Sequence, residues 1–471
     1  MDPVTTAKTN GCAVLGLGVS GIAAAEFLIS RGASSLLLCD KDPAKSSDPA
    51  VKALIAKGAV PRFGDGWLRD LPHGLLIRSP GIRPDLPELI RARAAGATVV
   101  GESGLFLAYS PARLFAVTGS SGKSTVTSLT ASIFRAAGLD VYAGGNLGAS
   151  LLPALPKMKK GSVAVLELSS FQLTDLSPEP ERAAILNLTE NHLNWHTGMA
   201  EYRAAKERIL GRNTVGVFPA SDPSLRALGR GRKENRLFSL VPPSPAAIEP
   251  REVWYAPDEG RVCAFSRKGV RRLFPLERFT LPGKHNLLNL LAAVALTDGI
   301  VSAEAIETAV EAFRGIPHRM ETVPGPDGVR CIDGSIDTTP ERTVATLEAL
   351  SPAVPILLLG GAGKGLSYRP LIEPLKRGVK TAILFGRAAA DIADALEGSG
   401  VRFRIIPDFD RAVLTALSLA KTGDTVLLSP ACTSYDAFRN FAERGDRFRA
   451  LCRAAVRKQK RPSNEGKGRT I

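Results

Sequence analysis

Eight consecutive residues, Thr118-Gly119-Ser120-Ser121-Gly122-Lys123-Ser124-Thr125, hold the densest chemistry in the chain. They sit between the apolar run LFAV and an apolar-periodic stretch, so they read as a strand-to-helix turn. Backbone N–H groups from Ser120 to Lys123 at the start of such a helix can cradle phosphate oxygens. Lys123 adds a point charge, and the hydroxyl of Ser124 or Thr125 can ligate magnesium. Val117 stands where a strict phosphate loop has its first glycine, and Gly119 comes two residues later. The mechanism survives this departure. A ligand-free glycine turn is the bland alternative, but a lysine directly after a glycine at a helix start has little packing value. ATP is therefore the expected occupant.

Further polar residues follow apolar strands in the same region. VAVLELSSFQL ends a strand on Glu167, a carboxylate able to hold magnesium, with Ser169, Ser170 and Gln172 in the turn beyond. NLTENHLNWHTGMAEYRAAKERI places His192 and His196 in a polar loop after a strand ending near Asn187, and Lys206 on the next helix. Two histidines near a glutamate suggest zinc, yet their spacing does not put them on one helical face as HExxH would. By itself Lys206 reads as a helix-surface lysine. Nearer the N-terminus, CAVLGLGVSGIAAAEFLISRGASSLLLCD is a βαβ unit. Gly16, Gly18 and Gly21 would let backbone amides approach a pyrophosphate, with Asp40 closing the second strand where an acid can hold a ribose hydroxyl. A tight turn that merely packs helix on sheet explains the same glycines.

The elements that position these residues form three α/β layers in series. The first is a Rossmann-like domain over 1–110. The second is a central ATP-binding α/β domain with the phosphate loop over 111–315, and the third is a C-terminal Rossmann-like domain over 316–456 with strands such as ILLLGGAGKG, TAILFG and TVLLSPA. Residues 457–471 read as a basic disordered tail. The Pro-rich stretch SLVPPSPAAIEPREVWYAPDEGRVCAFSRKG reads as a small antiparallel insertion in the middle domain. The chain has 471 residues, 44% apolar and 23% charged, enough for several buried cores. No apolar run reaches the roughly 18 residues of a membrane span, and the start lacks a signal sequence, so a cytoplasmic location is expected; a monomer is expected as well. Six cysteines without a CxxC pair are expected to be reduced, buried thiols. The net charge of +15 is concentrated partly in the tail, and few aromatics are interleaved with it, so no nucleic-acid partner is expected.

In order and spacing, TGSSGKST, ELSSFQL, NLTENHLNWH, YRAAK, GKHNLLNLLAA, GIPHRMETV, GGAGKG and LLSPACTSYDAFRNFAERGDRF resemble the successive motifs of the Mur ligases. The resemblance runs from about residue 11 to about residue 455, and ELSSFQL and the last motif are most similar to the D-glutamate-adding branch. It implies an ATP-driven amide ligase of cytoplasmic peptidoglycan precursor synthesis, joining D-glutamate to UDP-N-acetylmuramoyl-L-alanine through an acyl phosphate. It also implies two magnesium ions, with Ser124 and Glu167 ligating one and His192 the other, and a carbamylated lysine at Lys206 that holds the second. Asn286, Asn289, His318 and Arg319 would serve ATP alongside residues 119–125, and Lys123, His192, Lys206 and Arg319 would carry the catalysis. The nucleotide sugar would meet Val19, Ser20, Asp40, Lys41, Ser79, Asn146 and Gln172. D-Glutamate would meet Thr338, Lys364, Ser434 and Phe441.

One stretch departs from the family text. Family members often read DSKAT where this chain has Gly334-Ser335-Ile336-Asp337-Thr338, so a customary lysine is Ile336 and a customary ribose-binding aspartate is Gly334. Asp333 is the candidate substitute at the ATP ribose. The alternatives within the class are a sister ligase with another acceptor or a folylpolyglutamate synthase-like ligase, and the C-terminal motif opposes both. Outside the class stand a nucleotide-binding module without turnover and a basic polynucleotide binder.

Overall fold

CAVL, LLLCD and LLIR are apolar at consecutive rather than alternate positions, as strands covered on both faces must be, and nearly all their residues are buried. The computed structural model describes residues 3–33, 35–146, 150–190, 195–281, 283–363 and 366–459. They divide into two units, Met1–Phe313 and Arg314–Ile471.

The first unit contains two sheets. Strands β1 (Cys12–Leu15), β2 (Leu36–Asp40), β3 (Val60–Phe63), β4 (Leu75–Arg78) and β5 (Thr98–Gly101) form a parallel sheet in the order β3-β2-β1-β4-β5. The order reverses at β1, and in open α/β sheets the crevice for a ligand lies outside the carboxyl ends of the strands at such a switch point, here β1 and β4. The glycine turn and Ser79 both lie there.

The second sheet comprises β6 (Arg113–Thr118), β7 (Val141–Gly145), β8 (Val163–Glu167), β9 (Arg182–Ile185), β10 (Val215–Pro219), β11 (Asn235–Phe238), β12 (Glu252–Asp258), β13 (Arg261–Ser266) and β14 (Gly269–Pro275). Its order is β14-β13-β12-β11-β10-β9-β6-β8-β7. β6 lies between β8 and β9, with Val117 opposite Glu167, so the phosphate loop and Glu167 leave the sheet side by side. The Pro-rich stretch is not a separate insertion. β12 pairs in parallel with β11, and β13 and β14 then return antiparallel, so the stretch extends the main sheet across an edge that β11 would otherwise leave open. Helix Lys123–Ala136 packs Val126, Leu129, Ile133 and Phe134 inward, and helix Lys284–Thr297 is buried from Leu290 onward.

The second unit has β15 (Glu321–Pro324) antiparallel to β16 (Arg330–Asp333), followed by the parallel set with β17 (Ile356–Gly360), β18 (Thr381–Phe385), β19 (Phe403–Ile405) and β20 (Thr425–Ala431). The order is β15-β16-β20-β17-β18-β19. The terminal helix Phe441–Gln459 runs through Arg457, three residues into the stretch expected to be a tail. Residues 460–471 lie outside the described residues. All six cysteines are buried thiols outside any disulfide, and no described helix is long and apolar enough to cross a membrane.

Candidate active site

The phosphate loop closes on itself. Gly119 and Gly122 both have positive φ, and a Cβ on Gly122 would overlap Asn289 Oδ1, so this turn needs glycine. Lys123 begins the helix and folds back to donate from Nζ to Gly119 O at 2.9 Å and Ser120 O at 3.0 Å. Ser120 and Ser121 are pinned to the strand next door: their N–H groups donate to Asn187 O and Asn187 Oδ1. Ser120 Oγ also contacts Thr189 O and, at 2.8 Å, Tyr202 Oη. Ser124 and Thr125 are half-buried in the first helical turn. Asn286 is half-buried on the same helix as Asn289.

Glu167 is buried at the end of β8. Its Oε1 accepts from Asn146 Nδ2 at 2.9 Å, whereas Oε2 is buried without a hydrogen-bond partner among the described residues. An ionised carboxylate in that position is costly unless a cation completes it. Lys206 is likewise buried, not on a helix surface. Its Nζ lies 2.8 Å from Gly119 O, 3.2 Å from Thr118 Oγ1 and 4.8 Å from the Tyr202 ring centre. Burial, followed by the nearby charge of Lys123, lowers its pKa to about 7, with Glu167 opposing the shift. His192 lies outside the described residues.

His196 is a buried residue rather than part of a solvated loop. Its Nε2 is 2.9 Å from Ser170 Oγ, and its ring packs among Phe171, Trp195 and Tyr202. Ser169 and Gln172 form a reciprocal capping box, so the predicted turn is the start of a short helix, Ser170–Leu173. Gln172 Nε2 then donates to Ser103 Oγ at 3.0 Å.

On the first sheet, Val19 is 63% exposed, Ser20 half-buried and Lys41 exposed at the crevice. Ser79 Oγ donates to Gly16 O at 2.8 Å and fills the space a Cβ on Gly16 would need. Asp40 is occupied by the scaffold: its two oxygens accept from Leu17 N at 2.7 Å and Asp42 N at 2.9 Å. The adjoining residue Arg78, which sequence reasoning did not single out, is 1% exposed. It grips Asp175 through two bonds of 2.9 and 2.8 Å and donates to the carbonyls of Ser79, Pro80, Ile82 and Phe171. One guanidinium thus ties the loop carrying Ser79 to the helix carrying Gln172.

In the second unit, His318 has φ +62 and is buried, with Nδ1 2.8 Å from Asp333 Oδ2. Asp333 is fully buried, and its Oδ1 accepts from Ser335 N. Both oxygens of Asp333, the candidate substitute at the ATP ribose, are thus engaged within the protein, one with His318 and one with Ser335. A side chain at Gly334 would collide with Leu428 O and Asp337 Oδ2, so here the customary aspartate has no room. Gly445 of the terminal helix is equally constrained, since a Cβ would overlap His318 Nδ1. His318, Asp333 and Glu321 could form a cation cluster, but Glu321 is held by Arg449 and His318 N, so the donor set is already used. Arg319 is exposed, Thr338 half-buried and Ser434 buried. Phe441 presents its edge to His318 and its carbonyl to Ser335 Oγ. Lys364 lies outside the described residues. Asp337 was not singled out. It accepts from Thr346 and Ser429 at 2.8 Å each, and burial pushes its pKa up to about 6.

Three family models match in succession: the Mur ligase MurD-like N-terminal domain over 10–101, the Mur ligase middle domain over 117–297, and the Mur ligase glutamate ligase domain over 318–432. The chain is 38% identical over 459 residues to the UDP-N-acetylmuramoylalanine--D-glutamate ligase of Symbiobacterium thermophilum, covering 94% of this chain and 97% of the relative. It is 37% identical to the ligase of the same name from Aromatoleum aromaticum, covering 93% and 96%. Among solved structures it is similar in fold to MurF from Acinetobacter baumannii (TM-score 0.53, 17% identity, 89% and 91% covered). It is also similar to the UDP-N-acetylmuramate-alanine ligase MurC from Thermotoga maritima (0.51, 20%, 95% and 99%).

Proposed function

Since the chain belongs to the Mur ligase family, we propose that it is an ATP- and magnesium-dependent ligase that adds D-glutamate to UDP-N-acetylmuramoyl-L-alanine in peptidoglycan precursor synthesis. A carboxylate is a poor electrophile because its oxygen leaves badly. Transfer of the γ-phosphoryl group makes an acyl phosphate, the amine of D-glutamate adds to its carbon, and phosphate departs as the amide forms. Positioning and charge neutralisation supply most of the rate.

The observation that carries the phosphoryl chemistry is the pairing of two buried groups beside the phosphate loop, Glu167 with its unpartnered oxygen and Lys206 with its weakened basicity. Ser124 and Glu167 offer the hard oxygen donors that magnesium takes, and the ion, when bound, neutralises phosphate charge. A neutral Lys206 amine can add to carbon dioxide, releasing a proton and becoming a carbamate anion. That anion, with His192, would hold the second of two magnesium ions. Asn286, Asn289, His318 and Arg319 contact ATP, with Asp333 orienting the His318 ring. Val19, Ser20, Lys41, Ser79, Asn146 and Gln172 line the nucleotide-sugar channel, and Asp40 shapes its turn. Thr338, Lys364, Ser434 and Phe441 take the acceptor. The reading places a monomeric enzyme in the cytoplasm, with domains over 1–110, 111–315 and 316–456.

Phosphate release with ATP, UDP-N-acetylmuramoyl-L-alanine and a panel of D-glutamate, L-glutamate, L-alanine and a diamino acid tests the assignment. Turnover is expected with D-glutamate. Strong turnover with another acceptor and none with D-glutamate would overturn it.

A further inference from the structure

Arg444 has no exposed side-chain surface and makes no ion pair among the described residues. Its guanidinium is spent on neutral acceptors. Nε donates to Ser335 Oγ at 3.0 Å, Nη1 to Thr433 O at 3.0 Å, and Nη2 to Ser335 O at 3.0 Å and Cys432 O at 3.1 Å. Nη1 also lies 2.9 Å from where a Cβ on Gly361 would stand, and Gly361 has φ +129. One side chain therefore joins two loops, the one after β16 and the one after β20, and lies close against Gly361 in the loop after β17.

The chain is strained beside one of these attachments. Ala431, with φ +56, occupies the left-handed region that side chains disfavour, immediately before the two carbonyls bound by Arg444. Ser335 Oγ passes the linkage on to Phe441 O at 2.7 Å. Apolar packing could tie loops together at lower cost, because a buried cation without a contacting counter-ion loses its hydration. Arginine keeps its charge there: burial lowers its pKa only to about 10, with Asp436, Asp333 and Asp337 acting from longer range. A trans peptide also points its N–H opposite to its C=O, so the plane that turns Thr433 O toward Arg444 turns the Ser434 N–H away from it.

We propose that Arg444 is the positioning residue that makes these loops select an acidic acceptor, locking them in register and giving them a positive field suited to a dicarboxylate amine. This rests on the acceptor reading above, in which Ser434 and Phe441 contact D-glutamate. A purely mechanical strut would treat charged and neutral acceptors alike.

Steady-state kinetics on the full chain separate the two roles, using D-glutamate and its neutral isostere D-glutamine. Wild-type turnover with D-glutamate is measured first, so failure of the acceptor reading appears in that control and failure of the Arg444 role only in the variants. Arg444→Lys is expected to raise KM for D-glutamate about tenfold while KM for ATP and the nucleotide sugar stay within about twofold. Arg444→Gln is expected to cut the D-glutamate to D-glutamine ratio of kcat/KM by about tenfold. Equal loss on both acceptors, or no change in KM, would overturn the proposal. Should the Arg444 variants not fold, Ser335→Ala removes one contact and leaves the charge buried. It is expected to raise KM for D-glutamate about threefold and no other KM, and a shift shared by all substrates, or none, overturns the proposal.

Discussion

Around the phosphate loop, Glu167 keeps a buried oxygen without a partner and Lys206 sits buried against neutral acceptors. Around the loops after β16 and β20, both oxygens of Asp333, the guanidinium of Arg444 and Oδ2 of Asp337 are engaged by the protein itself. The first region is electrostatically incomplete, and in the proposed reading cations and carbon dioxide would complete it. The second is complete beforehand, so its shape and field exist before any ligand does.

The largest expected effect tests the incomplete side. Glu167→Gln keeps the shape but removes the charge that a cation needs, so ADP formation should fall by roughly a thousandfold while the melting temperature holds or rises. A large fall in melting temperature would instead make Glu167 a structural member.

A second test sets the two regions against each other by pH. Lys206 has its folded pKa lowered from 10.5 to about 7, so the folded state holds fewer protons and the fold gains stability as pH rises from 7 toward 10. Asp337 has its pKa raised from 3.8 to about 6, so the folded state holds more protons and the fold loses stability as pH rises from 4 to 6. Melting curves in bicarbonate-free buffer should show Lys206→Met flattening the alkaline limb only and Asp337→Asn the acidic limb only. The assignment fails if both variants keep the wild-type slopes.

The smallest effect concerns Asp40. Asparagine cannot accept from both Leu17 and Asp42 N–H groups as the carboxylate does, so Asp40→Asn should cost about 1–2 kcal/mol in urea unfolding. KM for the nucleotide sugar should rise only a few-fold. A rise of roughly a hundredfold with unchanged stability would return Asp40 to direct ligand contact.

What was legible in the sequence was local. TGSSGKST and the strand ending at Glu167 each carry their meaning within a dozen residues, and both stand where the text placed them. The antiparallel strands of the Pro-rich stretch were legible, but their continuity with the main sheet was not, because β12 finds its parallel partner in β11, which no local pattern announces. Burial of Lys206 was invisible in YRAAK, whose helical periodicity does not say which face meets the phosphate loop. Arg78 and Arg444 escaped notice for the same reason. Asp175 and Phe171 for Arg78, and Ser335 for Arg444, lie about a hundred residues away in sequence, so those bonds exist only once the sheets have assembled.

Gly122 and Gly445 each abut a residue of the proposed nucleotide site so closely that one added carbon would displace Asn289 or His318. For an inhibitor this is a matter of escape routes. A compound resting its bulk on either backbone would face a surface that a single substitution cannot reshape without also damaging the site it protects.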